Sequence, residues 1–267
     1  MIEGVHFDRR WSSWADVGYK LLARNVSDIF VMGGRPDRWL LSLSLPRSFN
    51  RADLADLASG FAEARRAFGT GPLIGGDTTA TAGPAVLSLT LLGRRGPRVL
   101  GRCGARPGDT LWVNGQLGWA AAGLAAFASG AIPHPLAAAA HRRPTPSPFR
   151  RAACTSVTAA IDVSDGLARD TGRLAAASGV DVMLRSDLPG HDALRATGAS
   201  DELVTSWQLH GGDDYVALVA ARRCPGREWY SVGQVSAGTG CLTLQYPDGT
   251  RRPLPNAGYE HRFEGGP

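Results

Sequence analysis

The stretch Ile161-Asp162-Val163-Ser164-Asp165-Gly166-Leu167 joins an apolar segment to a segment with helical spacing. We interpret Val157–Val163 as a strand, residues 164–166 as an acidic turn with a glycine, and Leu167–Ser178 as a helix. A strand that leads through such a turn into a helix predicts a domain that mixes both element types.

The rest of the chain alternates in the same way. Helices are predicted at Ser13–Arg24, at Arg51–Phe68 with an N-cap near Asn50, and at Trp119–Ser129. Strands are predicted at Trp39–Leu45, Ala85–Gly93, Thr110–Asn114, Val180–Leu184, Tyr215–Ala221, Gln234–Val235 and Leu242–Gln245, with a hairpin turn at Asp248-Gly249. The fold class is therefore α/β or α+β. Because residues 101–109 are rich in turn residues, we predict two domains, 1–106 and 107–267.

Composition excludes several classes of protein. The chain has 267 residues, of which 43% are hydrophobic, and a net charge of +5. Lys20 is the only lysine, so neither a Walker A loop nor the strand lysine of a protein kinase is present. The arginines are scattered and no aromatic platform interleaves them, so a nucleic-acid partner ranks last.

Thr110–Pro133 contains no Asp, Glu, Lys or Arg, which is one mark of a membrane span. It is rich in Ala and Gly, however, and a strand followed by a buried helix explains it better. No membrane partner is therefore predicted. The start Met1-Ile2-Glu3 is acidic and does not resemble a signal peptide, so we expect a cytoplasmic protein.

Carboxylates in short polar segments occur four times. The segments are Asn25–Asp28, Gly75–Thr78, Asp162–Gly166 and Gly211–Tyr215, and we predict that each forms a tight turn. Mg²⁺ is held by a few carboxylates together with substrate phosphates, and glycine allows the backbone to approach phosphate oxygens. Aspartate is also common in turns for purely local reasons. The residues alone therefore leave a magnesium–nucleotide site and a structural role equally open.

An ordered set of short blocks resembles the thiamine-monophosphate kinase family. The blocks are Glu3–Phe7, Tyr19–Asp28 with Met32–Pro36, Leu73–Thr79, Arg102–Asp109, Arg143–Pro146, Ile161–Leu167, Gly211–Tyr215 and Gly258–His261. Each block is weak by itself, but their order and spacing are specific, and together they cover almost the whole chain.

The resemblance implies the two-domain fold of aminoimidazole ribonucleotide synthetase. Residues 1–106 would form a strand-containing domain that dimerises and binds ATP and Mg²⁺, and residues 107–267 an α/β domain. The implied activity is ATP-dependent phosphorylation of thiamine monophosphate to thiamine diphosphate by a homodimer. The acceptor phosphate is already ionised, so no catalytic side chain is assigned and the protein would act by positioning and charge neutralisation.

Roles follow from the resemblance position by position. Asp28, Asp77, Asp162 and Asp165 match the family's magnesium ligands. Gly76, Asp77, Arg102 and Ser164 match its ATP-binding residues, and His6, Asp213 and Tyr259 match its contacts with thiamine phosphate. Each also has a simpler explanation, since His6 could be an ordinary polar residue, Arg102 a surface arginine and Tyr259 a packing residue.

Two departures from the family pattern affect this prediction. Asp213 stands where the family has Glu, which shortens the reach of the carboxylate by one methylene. An upstream segment with a Gly-Asp-Asp turn and a strand ending in Thr-Asp, both metal-binding in the family, has no counterpart before Glu3. We favour a start assigned too late, or a truncated record, over a true short form with reduced or altered function.

Two alternatives to the kinase stay open. One is an enzyme of the same superfamily that acts on another phosphate or acid, and the other is a non-catalytic remnant that still binds nucleotide.

Overall fold

The computed structural model describes residues 1–148 and 155–261. The chain divides into two units, each with its own core. The first unit comprises Met1–Val99 and Arg142–Pro148, and the second Leu100–His141 with the described residues after 154. The division thus falls seven residues before the predicted one. The reason is that Gly101 O accepts a hydrogen bond from Ala160 N–H (2.8 Å) and that Ala105 is buried in the second core.

Two helices and a three-stranded sheet form the first unit. The helices are α1 (Trp14–Val31) and α2 (Arg51–Phe68), and both begin with a capping box, Ser13 with Asp16 and Asn50 with Asp53. The prediction of a turn at Asn25–Asp28 is wrong, because α1 continues through it. Val26, Phe30 and Val31 extend the buried face of the helix, and this burial outweighs the local turn preference of the polar residues.

The sheet of the first unit has the strand order β2-β1-β3. Its strands are β1 (Arg35–Pro46), β2 (Leu73–Thr81), which runs parallel to β1, and β3 (Val86–Arg94), which runs antiparallel. The predicted turn at Gly75–Thr78 is also wrong, since these residues lie inside β2. Gly75 pairs with Leu40 and Asp77 with Ser42, so pairing with β1 overrides the glycine signal.

Small residues bring α1 and α2 into close contact. A Cβ atom placed on Gly60 would lie 1.9 Å from Ala15 O, so the two backbones meet there without a side chain between them. Arg143 supports the same helix pair, because its guanidinium donates to Asp16 on α1 (2.6 Å) and to Glu63 on α2 (2.5 Å).

A seven-stranded sheet with the order β10-β9-β6-β8-β4-β7-β5 forms the second unit. Its strands are β4 (Thr110–Val113), β5 (Val157–Val163), β6 (Val180–Arg185), β7 (Val216–Ala221), β8 (Tyr230–Ala237), β9 (Leu242–Gln245) and β10 (Arg251–Pro253). Its helices are α3 (Trp119–Ser129), α4 (Pro135–Arg142), α5 (Leu167–Ser178), α6 (His191–Arg195) and α7 (Asp201–His210). Of these elements, α4, α6, α7 and β10 were not predicted.

The charge-free segment Thr110–Pro133 forms strand β4 and helix α3, as predicted, but only the first half of α3 is buried and Leu124 is exposed. Four residues of α3, Trp119, Ala120, Ala122 and Gly123, are buried within the second unit. Across residues 1–148 and 155–261, no helix combines the length and the apolar character that crossing a membrane requires.

The contact at Gly60 generates a first prediction. Gly60→Ala should lower the free energy of unfolding by about 1–3 kcal/mol, although alanine favours helices, because the added methyl group must push α1 away from α2. Thermal unfolding monitored by circular dichroism measures the effect. Ser59→Ala is the matched control, since Ser59 is exposed on the same helix and its replacement should leave the unfolding temperature unchanged or slightly higher. A Gly60→Ala protein as stable as the control would contradict the close contact.

Candidate functional site

The turn between β5 and α5 is held in place by a buried carboxylate. Asp170, in the first turn of α5, has no exposed surface, and its Oδ2 accepts the N–H groups of Ser164 and Asp165, both at 3.0 Å. Gly166 precedes the helix and has no side chain with which to cap it. Asp170 instead reaches back from the first turn of α5 to the two N–H groups that lie just before this glycine. The turn predicted from sequence is present, and its shape depends on Asp170.

Burial raises the pKa of Asp170 to about 6. The hydrogen bond from Asp165 N–H and the charge of Arg173 oppose this increase, while the negative charges of Asp165 and Asp162 add to it. Asp162 itself is buried near the end of β5, opposite Ala217. Three carboxylates of the second unit therefore influence one another across this strand–turn–helix segment.

Two distant loops dock onto the same turn through backbone hydrogen bonds. The N–H of Asp213 donates to Ser164 O (2.9 Å), and the N–H of Tyr259 donates to Asp165 O (2.9 Å). Tyr215 N–H donates to Val163 O at the end of β5 (2.8 Å). The structure thus brings four of the residues predicted for the site, Ser164, Asp165, Asp213 and Tyr259, to one turn of the second unit.

The Gly211–Tyr215 loop has an unusual backbone. Asp213 (φ 67°) and Tyr215 (φ 50°) adopt left-handed conformations that residues other than glycine rarely take. The buried Tyr215 hydroxyl donates to Asp213 Oδ1 (2.7 Å), which fixes the direction of that carboxylate. Gly212 packs so closely on the turn that a Cβ atom there would lie 2.5 Å from Ser164 O. The loop is therefore shaped to place Asp213 at the turn.

Asp214, the next residue, caps helix α3. Both of its carboxylate oxygens accept the N–H of Gly118, at 3.1 and 3.0 Å. Burial raises the pKa of Asp214 to about 8, although hydrogen bonds from Gly118 and Ala120 favour the ionised form. Sequence reasoning did not single out this residue. A carboxylate that meets the N-terminus of a distant helix leaves no local pattern in the sequence.

Arg102 is placed apart from this turn. The Ser178 hydroxyl, at the last residue of α5, donates to Arg102 O (3.0 Å). The turn lies at the other end of α5, and a helix of 12 residues is about 18 Å long. The structure therefore holds the Arg102 backbone far from Ser164. The predicted contact of Arg102 with ATP could be made only by its exposed side chain, and it stays a prediction.

The remaining predicted residues, His6, Asp28, Gly76 and Asp77, lie in the first unit. His6 Nδ1 accepts the N–H of Ile2 (3.1 Å), which assigns the ring proton of a neutral imidazole to Nε2. Asp28 lies on α1, where desolvation raises its pKa despite the charge of Arg24 and although part of its surface stays exposed. Asp77 and Gly76 are exposed on the edge strand β2. Their assigned roles stay predictions.

The carboxylates of the second unit fit one particular mode of metal binding. In the described part of the chain, no group of three or more His, Cys, Asp or Glu side chains forms a ready-made metal cage. Mg²⁺ in phosphate chemistry does not need such a cage, because one or two carboxylates, waters and substrate oxygens complete its shell. Asp162 and Asp165 match this donor set.

A separate cavity of about 1140 Å³ lies beside α6, α7 and the β9–β10 hairpin. Four carboxylates line it (Asp187, Asp192, Asp201 and Glu202), against two arginines, Arg195 and Arg252. Arg195 is already paired with Asp201 at 2.6 Å. Because carboxylates outnumber arginines in this lining, we do not assign the phosphate groups of any reactant to the cavity.

Comparisons with known proteins point to one family. Residues 1–95 match the family described as AIR synthase related protein, N-terminal domain. The thiamine-monophosphate kinase of Bacillus subtilis (strain 168) is 35% identical over 232 residues, which are 80% of this chain and 68% of that protein. The one from Mycobacterium tuberculosis (strain CDC 1551 / Oshkosh) is 34% identical over 245 residues, or 89% of this chain and 73% of that protein.

Solved structures of thiamine-monophosphate kinases have the same fold as this chain. The crystal structure of thiamine-monophosphate kinase from Stenotrophomonas maltophilia K279a has a TM-score of 0.80 at 31% identity and covers 91% of this chain and 82% of that one. A structure described as AaThiL complexed with AMPPCP and TMP also has a TM-score of 0.80, at 29% identity, and covers 94% of this chain and 82% of that one. The predicted two-domain fold is thereby confirmed.

The environment of Asp214 generates a second prediction. Its folded-state pKa, about 8, lies above the ordinary value of 3.8, so the native protein holds a proton that the unfolded chain releases. The stability that this proton contributes is complete below about pH 4 and is lost as the pH rises through 8. Asp214→Asn keeps an acceptor for Gly118 and removes this loss. The unfolding temperature of the variant, relative to wild type, should be higher at pH 8 than at pH 5.

Asp192→Asn serves as the control for this measurement, because Asp192 is exposed. Its difference from wild type should not change between the two pH values. If Asp214→Asn lowers the unfolding temperature equally at both, the carboxylate of Asp214 is ionised throughout and our account of its burial is wrong.

Proposed function

The chain belongs to the thiamine-monophosphate kinase family, and we propose that it transfers the γ-phosphoryl group of ATP to the phosphate of thiamine monophosphate. The observation that carries this proposal is the convergence of Ser164, Asp165, Asp213 and Tyr259 on one turn, in a chain about one-third identical to kinases of this name. The relative whose structure was determined with AMPPCP and TMP supports ATP and thiamine monophosphate as the two reactants.

The reaction requires the protein mainly to position its two reactants. The acceptor is a phosphate oxygen that is already largely ionised at neutral pH, because the second pKa of a phosphate monoester is about 6. No side chain has to remove a proton from it. The obstacle is the repulsion between two anions, so the protein must hold them in line and offset their charge.

We assign Asp162 and Asp165 of the second unit as carboxylates that would hold Mg²⁺. The bound ion supplies positive charge against the phosphate oxygens. Asp28 and Asp77 of the first unit are proposed as further ligands on the strength of the family resemblance. Ser164 would contact a phosphate through its hydroxyl, since Asp170 already accepts the N–H groups of Ser164 and Asp165.

We further propose a cytoplasmic homodimer that associates through the sheet of the first unit. Support comes from β2, an edge strand whose residues are exposed from Leu73 to Ala80. Leu73 and Ile74 on this strand are 47% and 50% exposed. An edge strand with exposed apolar side chains favours pairing with a second chain.

Asp213 motivates a second candidate, an enzyme of the same superfamily with a different acceptor. Its carboxylate accepts a hydrogen bond from Tyr215 and reaches one methylene less far than the glutamate of the family pattern. Turnover measured with a panel of phosphate and acid acceptors separates the two candidates. Calorimetric titration with Mg²⁺ and AMPPCP identifies the remaining alternative, because a non-catalytic remnant would bind this analogue without any turnover.

The first functional prediction concerns Asp165. Asp165→Ala should abolish phosphoryl transfer to thiamine monophosphate at millimolar Mg²⁺, since it removes a carboxylate from the proposed metal site. The unfolding temperature should stay close to that of wild type, because Asp170 still holds the turn. Glu228→Ala, which removes an exposed carboxylate elsewhere in the second unit, is the control and should keep full activity. Unchanged turnover in Asp165→Ala would remove Asp165 from the site.

Asp213→Glu tests the identity of the acceptor. If the acceptor is thiamine monophosphate, the longer carboxylate should retain or lower KM for it while kcat stays within a few-fold of wild type. Steady-state kinetics with thiamine monophosphate as the varied substrate measure both constants. A large loss of kcat/KM would mean that the loop around Asp213 has been rebuilt for a different ligand, in favour of the second candidate.

A further inference from the structure

Arg173 occupies an unexpected place next to the proposed metal site. It lies on α5, and its Nη1 contacts Asp165 Oδ2 at 2.6 Å and Asp170 Oδ1 at 2.8 Å. Its side chain is 37% exposed, whereas Asp170 is completely buried. One guanidinium nitrogen therefore bridges the carboxylate that shapes the turn and a carboxylate that we assign to Mg²⁺.

This ion pair has a consequence for metal binding. Oδ2 of Asp165 already has a cationic partner, so a cation that approaches this oxygen must displace Arg173 or share the oxygen with it. A guanidinium cannot be neutralised by losing its proton at any physiological pH. Freeing Oδ2 of Asp165 therefore requires movement of the Arg173 side chain, which its partial exposure and its long stem allow.

We propose that Arg173 is the counter-ion of Asp165 in the metal-free protein, and that it exchanges with Mg²⁺ there and then binds a phosphate oxygen of the reactants. This inference rests on the proposed function. It assigns to Arg173 a ligand of defined chemistry, a phosphate group held close to the turn. Arginine suits this role because its several donors can leave one oxygen and bind another without any change in charge.

Asp170 makes such an exchange possible without loss of the turn. Its Oδ2 holds the N–H groups of Ser164 and Asp165, and its Oδ1 binds Arg173. When Arg173 leaves Asp165, the contact with Asp170 can persist, so the guanidinium pivots within the site and the backbone stays in place.

The test compares Arg173→Gln with wild type in two calorimetric titrations. In the first, Mg²⁺ alone should bind the variant about 5-fold more tightly, because a competing and repelling charge is gone. In the second, AMPPCP at saturating Mg²⁺ should bind about 10-fold more weakly, because a charged hydrogen-bond donor to phosphate is lost. A residue with a merely structural role would not change the two affinities in opposite directions.

Two further variants keep the test decisive. Arg195→Gln removes the same charge from an exposed ion pair with Asp201 in the same unit and should change neither affinity. Arg173→Lys keeps the charge, so its Mg²⁺ affinity should stay near that of wild type. If Arg173→Gln does not fold, as judged by circular dichroism, Arg173→Lys decides, and a Mg²⁺ affinity several-fold above wild type would then contradict the exchange.

The remaining outcomes separate this inference from the proposed function. Unchanged or weaker Mg²⁺ binding by folded Arg173→Gln overturns the exchange, even if wild type phosphorylates thiamine monophosphate. Absence of Mg²⁺ binding to wild type overturns it as well. If wild type lacks kinase activity but Arg173→Gln still binds Mg²⁺ more tightly and AMPPCP more weakly, the exchange stands and the proposed function fails.

Discussion

The arrangement of the second unit depends on one buried carboxylate. Asp170 accepts the N–H groups of Ser164 and Asp165, and these bonds fix the turn onto which the loops of Asp213 and Tyr259 dock. The docking bonds are all made to backbone oxygens of residues 163–165. A change in the position of this turn would therefore displace residues about 50 and 95 positions further along the chain. Backbone hydrogen bonds therefore fix the position of the site, and the backbone in turn positions the side chains of the site.

A group of acids around this turn creates an electrostatic repulsion that nearby positive charge reduces. Burial raises the pKa of Asp170 to about 6, and the charges of Asp165 and Asp162 contribute to this increase. Such a cluster is unfavourable unless positive charge lies beside it. In the structure Arg173 supplies this charge. The same requirement for a cation makes the cluster a suitable place for Mg²⁺, so one electrostatic property accounts both for the ion pair and for the proposed metal site.

The sequence predicted well those elements whose signals are periodic, whereas two of its predictions from local turn signals were wrong. The bounds of α2, α3, α5, β5 and β9 agree with the structure to the residue. The turns predicted at Asn25–Asp28 and Gly75–Thr78 are instead helix and strand, because tertiary burial and strand pairing outweigh turn preference. Within the site, the family resemblance pointed to Asp165 and Asp213 but not to Asp170 or Arg173. An aspartate in the first turn of a helix usually serves the helix itself, and only its contacts show that it also serves the turn.

The loop that carries Asp213 is held in an unfavourable backbone conformation by its surroundings. Left-handed conformations at Asp213 and Tyr215 cost on the order of 1–3 kcal/mol each, and they persist only where surrounding bonds leave no alternative. Those bonds are the docking contacts with Val163 and Ser164 and the hydrogen bond between the Tyr215 hydroxyl and Asp213. Since the docking contacts fix the backbone independently of the side chain at position 213, replacing glutamate by aspartate there alters reach and leaves the loop in place. Under the proposed contact of this residue with the acceptor, substrate preference can change at that side chain without a change in the backbone that carries it.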